Sequence, residues 1–249
     1  MDSNELFLPF LSTLDEERFG IRTARVKQVT SATLPSVLDF CRYHQVQFLI
    51  ARCPVNDIAA AQAMEREDFL LMDTLLYYVR DLVKLPIPAD TGKTQVRPLR
   101  QGEEDAVQQV AAGAFQGYFG HYHADNRLER QKCDEAYVSW AMRSCVSREV
   151  ADEILVAEAE MEGKIVGFAT LKRHNVEEGE GLLYGVAPEA QKQGIHSSLA
   201  VHSMRWGVTQ GIKRFFYSTQ INNIAVQKVW VRVGAELSHA YYTFHKWFN

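Results

Sequence analysis

Val186-Ala-Pro-Glu-Ala-Gln191-Lys-Gln-Gly194-Ile-His196 is the stretch that decides the fold. The apolar run Gly181-Leu-Leu-Tyr-Gly-Val186 leads into it as a strand and passes through Pro188 into a short polar turn. From Gly194 an amphipathic helix follows, with Ile195, Leu199 and Trp206 on one side. A helix fed by such a turn begins with backbone N–H groups that have no acceptor. With the positive end of the helix dipole, those groups form a seat for a pyrophosphate. Gly194 lets the backbone approach closely, while Gln191, Lys192 and Gln193 add donors and one positive charge. Taken alone, the glycine and the lysine fit an ordinary strand–loop–helix connection at least as well.

The full pattern separates the two readings. V-x-P-x-x-Q-x-x-G-I-x resembles the acyl-CoA signature of the GNAT acetyltransferases, V-x-P-x-x-[RQ]-x-x-G-x-[GA]. It matches at Val186, Pro188, Gln191 and Gly194 and departs at His196, which stands where the family carries a small residue. The resemblance covers residues 94–249. It implies an α/β (α+β) GNAT fold with a mixed central sheet, and acetyl-CoA as cosubstrate. The cosubstrate would be held by Gly185, Val186, Gln191, Lys192, Gln193, Gly194, Ile195 and His196.

Of the 249 residues, 47% are apolar and 23% charged, a globular composition with room for one large or two small domains. A net charge of −4 and the absence of a basic block argue against nucleic acid as a partner. No apolar run approaches the ~20 residues of a membrane helix. The acidic start Met1-Asp-Ser-Asn-Glu lacks the pattern of a signal peptide, so a cytoplasmic location is expected. Cys41, Cys53, Cys133 and Cys145 show no zinc spacing and are expected as free thiols.

Leu85-Pro-Ile-Pro-Ala-Asp-Thr-Gly-Lys-Thr94 is the clearest break, which divides the chain into a small α/β unit (1–84), a linker (85–93) and the acetyltransferase domain (94–249). In the first part, strands are predicted over 19–26, 46–51 and 71–79. Helices are predicted at Leu34–Cys41, capped by Thr33, and at Asn56–Met64. This β-α-β-α-β unit could be a degenerate copy of the same architecture. After the linker the expected order is βαα-βββ-αβαβ. Its helices are Glu103–Phe115 and Tyr137–Cys145, its strand pair 154–160 and 164–171 turns at Glu162-Gly163, and Gly211 and Gly234 stop the last two helices.

A narrower resemblance, to the dTDP-fucosamine acetyltransferase type, rests on three segments. They are Asp15-Glu-Glu-Arg-Phe-Gly-Ile, Ala114-Phe-Gln-Gly-Tyr-Phe-Gly-His-Tyr-His-Ala-Asp125, and Ser218-Thr-Gln-Ile-Asn-Asn223 with the stretch from Gly234. It implies N-acetylation of a nucleotide-linked amino-deoxy sugar and a possible homodimer. His121, Tyr122, His123 and Asp125 would then lie at the acceptor site, with an exposed structural loop as the alternative. Two histidines without a third ligand do not make a metal site.

Acyl transfer needs a donor for the developing oxyanion and a path for protons. The resemblance puts the oxyanion donor at a strand bulge over Tyr184-Gly185-Val186, and puts Asn223, with Asn222 as a weaker candidate, on the cofactor arm. The family's proton-donating tyrosine falls on Trp230, whose indole does not ionise in the useful range. Core packing is the competing role for Trp230, which leaves Tyr184, Tyr217, His196 or water to protonate the thiolate. Glu158 and Glu160 share a strand face and offer a proton relay or merely a solvated surface. Two alternatives stay open: another amine acceptor, or a non-catalytic acyl-CoA-binding module.

Overall fold

The computed structural model describes residues 8–92, 94–159 and 163–248. The start of the chain, Lys93, Glu160 and Glu162 lie outside the described residues. Two compact units emerge. The first holds the described residues up to Leu76 together with Phe119–Cys133 and His239 onward; the second holds Tyr77–Tyr118 and Asp134–Ser238.

In the first unit, β1 (Phe10–Leu11), β2 (Thr23–Val26) and β3 (Phe48–Pro54) pair in that order, β1 and β2 antiparallel, β2 and β3 parallel. A parallel pair needs a crossover, and α2 (Leu34–Tyr43) supplies it. On the other side of β3 lies the C-terminal strand β10 (Glu236–Trp247), antiparallel, with Ala51 opposite Phe244 and Phe48 opposite Trp247. That pairing brings the chain end into the first unit although it follows the linker in sequence. Residues from α2 and from α3 (Ile58–Arg66), including Val37, Cys41, Ala60 and Met64, share one core with Val26, Leu49, Ala51 and Phe244.

Three expectations are corrected here. Phe19 ends a helix, α1 (Thr13–Phe19), rather than opening a strand: Ser12 caps its start and Gly20 its end, at φ 69°. The helix expected from Asn56 starts at Ile58, capped by Asp57, whose carboxylate accepts the Ala60 N–H at 2.9 Å. Thr33 precedes α2 without capping it, because its hydroxyl bonds with Thr30.

β4 (Leu70–Asp81) carries the chain into the second unit, whose elements follow the expected order. They are β5 (Gln95–Pro98), α4 (Glu104–Ala114), β6 (Glu153–Glu158), β7 (Ile165–Arg173), β8 (Glu178–Val186), α7 (Ile195–Thr209), β9 (Arg214–Gln220) and α8 (Ile224–Arg232). Between α4 and β6 lie the one-turn α5 (His121–Ala124) and α6 (Arg130–Val146), which starts seven residues earlier than expected. β5 to β8 are antiparallel neighbours and β8 runs parallel to β9, so the sheet is mixed. The crossover α7 buries Leu199, Ala200 and Met204, while Phe168, Leu171 and Phe215 are buried on the strands.

The linker has no regular secondary structure over 86–92, yet it is fixed to α7. The Asp90 carboxylate accepts from Ser198 Oγ at 2.7 Å and lies 3.1 Å from His202 Nε2. A Cβ on Gly92 would stand 1.9 Å from Ser198 Oγ, so only glycine permits this approach.

Candidate functional site

β8 has one extra residue against β7. Thr170 faces Leu183 and Leu171 faces Gly181, which leaves Leu182 unmatched. The bulge therefore sits at Leu182, two residues before the expected Tyr184-Gly185-Val186. A bulge bends and twists its strand, and its consequence shows on the opposite edge. β8 pairs with β9 from Glu178 opposite Arg214 to Gly181 opposite Tyr217, and among the described residues no pair follows. From Leu182 to Val186 the β9-side edge of β8 is thus open to a ligand that can pair with a strand.

At the end of that edge the chain enters the turn. Pro188–Ala190 form one 3-10 turn, then Lys192 and Gly194 take left-handed conformations at φ 63° and 85°. A Cβ at Gly194 would meet no atom within 4 Å, so the glycine serves the backbone angle and leaves open space beside it. Among the described residues no side chain caps α7, and the Ser198 N–H is the one that reaches the Gly194 carbonyl, at 3.0 Å. The N–H groups of Ile195, His196 and Ser197 accordingly precede the first intrahelical acceptor. Gln191, Lys192 and Gln193 are exposed around them, and Lys192 makes no ion pair among the described residues. An uncapped helix start, a left-handed turn, one free cation and an open strand edge together fit a pyrophosphate followed by an extended amide arm.

Behind the turn lies an aromatic cluster. Trp230 is 1% exposed, stacks on Tyr217 with centroids 4.5 Å apart, and meets Tyr184 and His196 edge-on at 5.2 and 4.8 Å. His196 stacks on Tyr184 at 5.1 Å, so its imidazole enters this cluster. Burial lowers its pKa to about 4, and the ring is neutral at pH 7. Among the described residues, neither His196 Nε2 nor Trp230 Nε1 has a hydrogen-bond partner. The Tyr184 hydroxyl donates to Ser203 at 2.9 Å and that of Tyr217 to the Ala200 carbonyl at 3.2 Å; burial raises both pKa values. Each phenol already has an acceptor, and the imidazole carries no surplus proton.

Asn223 caps α8, its side chain accepting the Val226 N–H at 3.3 Å. The exposed Asn222 adjoins it. α8 ends at Gly234, φ 78°, where the Arg80 guanidinium donates to the Gly234 carbonyl at 2.7 Å and to that of Pro86. Glu158 is no free relay: it accepts from Arg97, and that bond holds its carboxyl below the usual range. Its intended partner, Glu160, lies outside the described residues.

The segment expected as a polar loop is the short helix α5 in the first unit, and its side chains are buried. Tyr122 donates to Asp15 at 2.7 Å, a carboxylate that Arg25 also grips through two nitrogens. Burial alone would raise the Asp15 pKa; the Arg25, Ser12 and Tyr122 bonds instead bring it to about 2. His123 Nδ1 accepts the Gly120 N–H at 3.1 Å. His121 Nδ1 lies 2.9 Å from His245 Nε2, and His245 Nδ1 lies 2.8 Å from Asp125 Oδ2, which also accepts from Trp247 Nε1 at 2.9 Å. Sequence reasoning missed His245, which sits 120 residues from Asp125; only the β3–β10 pairing brings it into the first unit.

Residues 115–235 match the acetyltransferase (GNAT) family. A relative from Bacillus subtilis (strain 168), the spore coat polysaccharide biosynthesis protein SpsD, is 22% identical over 208 residues, 82% of this chain and 68% of its own length. Among solved structures, a GCN5-related N-acetyltransferase from Sphaerobacter thermophilus superposes with a TM-score of 0.59 at 17% identity over 87% of this chain. This chain spans 65% of that one, about two thirds of its length. A tandem GNAT protein from the clavulanic acid biosynthesis pathway gives 0.63 at 14% identity, covering 92% of this chain and 76% of that one.

Proposed function

From an acetyltransferase domain of the GNAT family at residues 115–235, an acyltransferase domain, we propose that the protein moves an acetyl group from acetyl-CoA to the amine of a nucleotide-linked amino-deoxy sugar. The observation that carries the cosubstrate is the open edge Leu182–Val186 running into the uncapped start of α7. Gln191 to Ser197 would hold the pyrophosphate through backbone N–H groups, with Lys192 supplying charge. Val186 and its neighbours would pair with the amide arm, and Asn223 would meet the same arm from α8. Acetyl-CoA supplies the activated acyl group. A backbone N–H of the Tyr184–Val186 segment would stabilise the oxyanion, worth roughly 2.7–4 kcal/mol for a well-placed donor. A thiol of ordinary pKa, about 8.5, leaves without a strong acid, which suits a site whose usual acid position is Trp230.

The sugar acceptor is supported by the likeness to a polysaccharide biosynthesis protein. His121, Tyr122, His123 and Asp125 would form the acceptor site, and the first unit would be a reduced copy of the acetyltransferase architecture. A second reading, an acyl-CoA-binding module without turnover, draws on the sealed Trp230 alone. Release of free thiol from acetyl-CoA, measured with a panel of nucleotide 3-amino and 4-amino sugars, separates them. Release with at least one sugar and a matching acetylated product supports the enzyme. Tight acetyl-CoA binding with no release across sugars, peptides and polyamines supports the module.

A further inference from the structure

One acceptor on the open edge of β8 is already covered, and the side chain that covers it comes from the turn itself. In an antiparallel pair, residues that exchange both backbone bonds with the partner strand alternate with residues that turn both groups away. The Ala187 N–H reaches the Val166 carbonyl at 2.8 Å, so Ala187 bonds toward β7. Gly185 faces the same way: a Cβ on Gly167, in β7, would stand 3.3 Å from the Gly185 carbonyl oxygen. Val186 and Tyr184 alternate with these two in the register and therefore present N–H and C=O to the β9 side. At Val186 that carbonyl has a partner. The exposed Gln191 folds back across the 3-10 turn, and its Nε2 donates to the Val186 oxygen at 3.4 Å. The bond is long for an N–H···O contact and is readily exchanged. Gln193 makes a comparable bond, at 3.3 Å, but to the Glu189 carbonyl within the turn. Of the two glutamines, Gln191 is the one on the edge.

A primary amide on a strand carbonyl stands in for the N–H of a neighbouring strand. An extended arm that carries secondary amides offers the same donor and competes for the same approach to the Val186 oxygen. We propose that Gln191 is a latch on the β8 edge that makes the site select donors carrying an amide arm and a pyrophosphate on one molecule. The proposal rests on the reading of this edge and the start of α7 as the acetyl-CoA seat. An arm alone exchanges one bond for another at Val186 and gives the displaced Gln191 amide no new acceptor. When the same molecule brings a pyrophosphate to the start of α7, the released amide donates to a phosphate oxygen. The two halves of the ligand thus favour each other through one side chain. A thioester of free CoA satisfies both contacts, whereas a thioester whose arm lacks the pyrophosphate satisfies one at the expense of the other.

Calorimetric titration of the full chain and of Gln191→Leu, with S-acetylpantetheine and with ADP, reads the latch. Leucine keeps the bulk and removes the donor. S-acetylpantetheine is therefore expected to bind the variant roughly twofold to tenfold more tightly, and ADP to bind it more weakly by a similar factor. A residue that only shapes the turn would move both ligands in one direction. Changes of the same sign, or no change in either ligand, would overturn the proposal. Proton–nitrogen NMR of the unsubstituted chain gives a second reading: S-acetylpantetheine is expected to shift the Gln191 side-chain amide signals together with the Val186 N–H. A shifted Val186 N–H beside an unmoved Gln191 amide would overturn the latch and leave the seat standing. If saturating acetyl-CoA moves neither Val186 nor the N–H groups of Ile195, His196 and Ser197, the cosubstrate reading fails and the latch falls with it.

Discussion

Replacing Trp230 tests whether the indole packs or takes part in the chemistry. The side chain is 1% exposed and touches three rings, with Tyr217 stacked at 4.5 Å and Tyr184 and His196 edge-on. Truncating a buried tryptophan to alanine costs about 3–5 kcal/mol, and each lost aromatic pair adds about 0.5–1.5 kcal/mol. One effect runs the other way: Nε1 is buried with no acceptor among the described residues, and removing such a donor returns about 1–3 kcal/mol. For Trp230→Ala the midpoints of these terms leave a loss of about 5 kcal/mol. For Trp230→Phe the six-membered ring stays over Tyr217, and the lost pyrrole edge and the removed orphan donor offset each other. A change within about 1 kcal/mol is expected. Urea unfolding followed by circular dichroism reads both, and thiol release reads turnover of the phenylalanine variant, which stays near wild type. A folded Trp230→Phe protein with no turnover would refute the packing role, as would an alanine variant of undiminished stability.

Stability is expected to fall with acid in a window set by His196. Its pKa is about 4 in the fold against 6.5 when unfolded, so between those values the unfolded chain binds more protons. The contribution is intact above pH 6.5 and lost as pH falls through 4, amounting to about 3 kcal/mol at one pKa unit per ~1.4 kcal/mol. Urea midpoints from pH 7 to 4 should therefore drop less steeply in His196→Phe than in wild type. Gly194→Val forces a β-branched residue to φ 85°, costs roughly 1–2 kcal/mol, and should weaken acetyl-CoA in a calorimetric titration. Lys192→Ala should weaken the same binding and reduce its dependence on salt. In Asp90→Ala, Ser198 and His202 lose their acceptor; a loss of about 1–2 kcal/mol in urea unfolding is expected.

What the sequence made legible follows from local rules. The turn at Gly194 and the stops at Gly211 and Gly234 need positive φ, and the order of elements after residue 94 follows hydrophobic periodicity. The helix α1 was hidden because Thr13–Phe19 is short, charged on most positions, and defined by its caps rather than by an apolar stripe. The bulge at Leu182 is a matter of register between β7 and β8, and Gly-Leu-Leu-Tyr-Gly alternates no differently with it than without it. Long-range partners left no local mark: His245 for His121, Arg97 for Glu158, Asp90 for Ser198. The same holds for the departure at His196. Its effect depends on Trp230, 34 residues on, whose ring it meets.

As proposed, the β8 edge and the start of α7 would form the acetyl-CoA seat. Hydrogen exchange of backbone amides, with and without saturating acetyl-CoA, tests it most directly. Added protection is expected in Leu182–Val186 and Gln191–Ser197. Saturable binding with protection elsewhere and none in those two segments would contradict it.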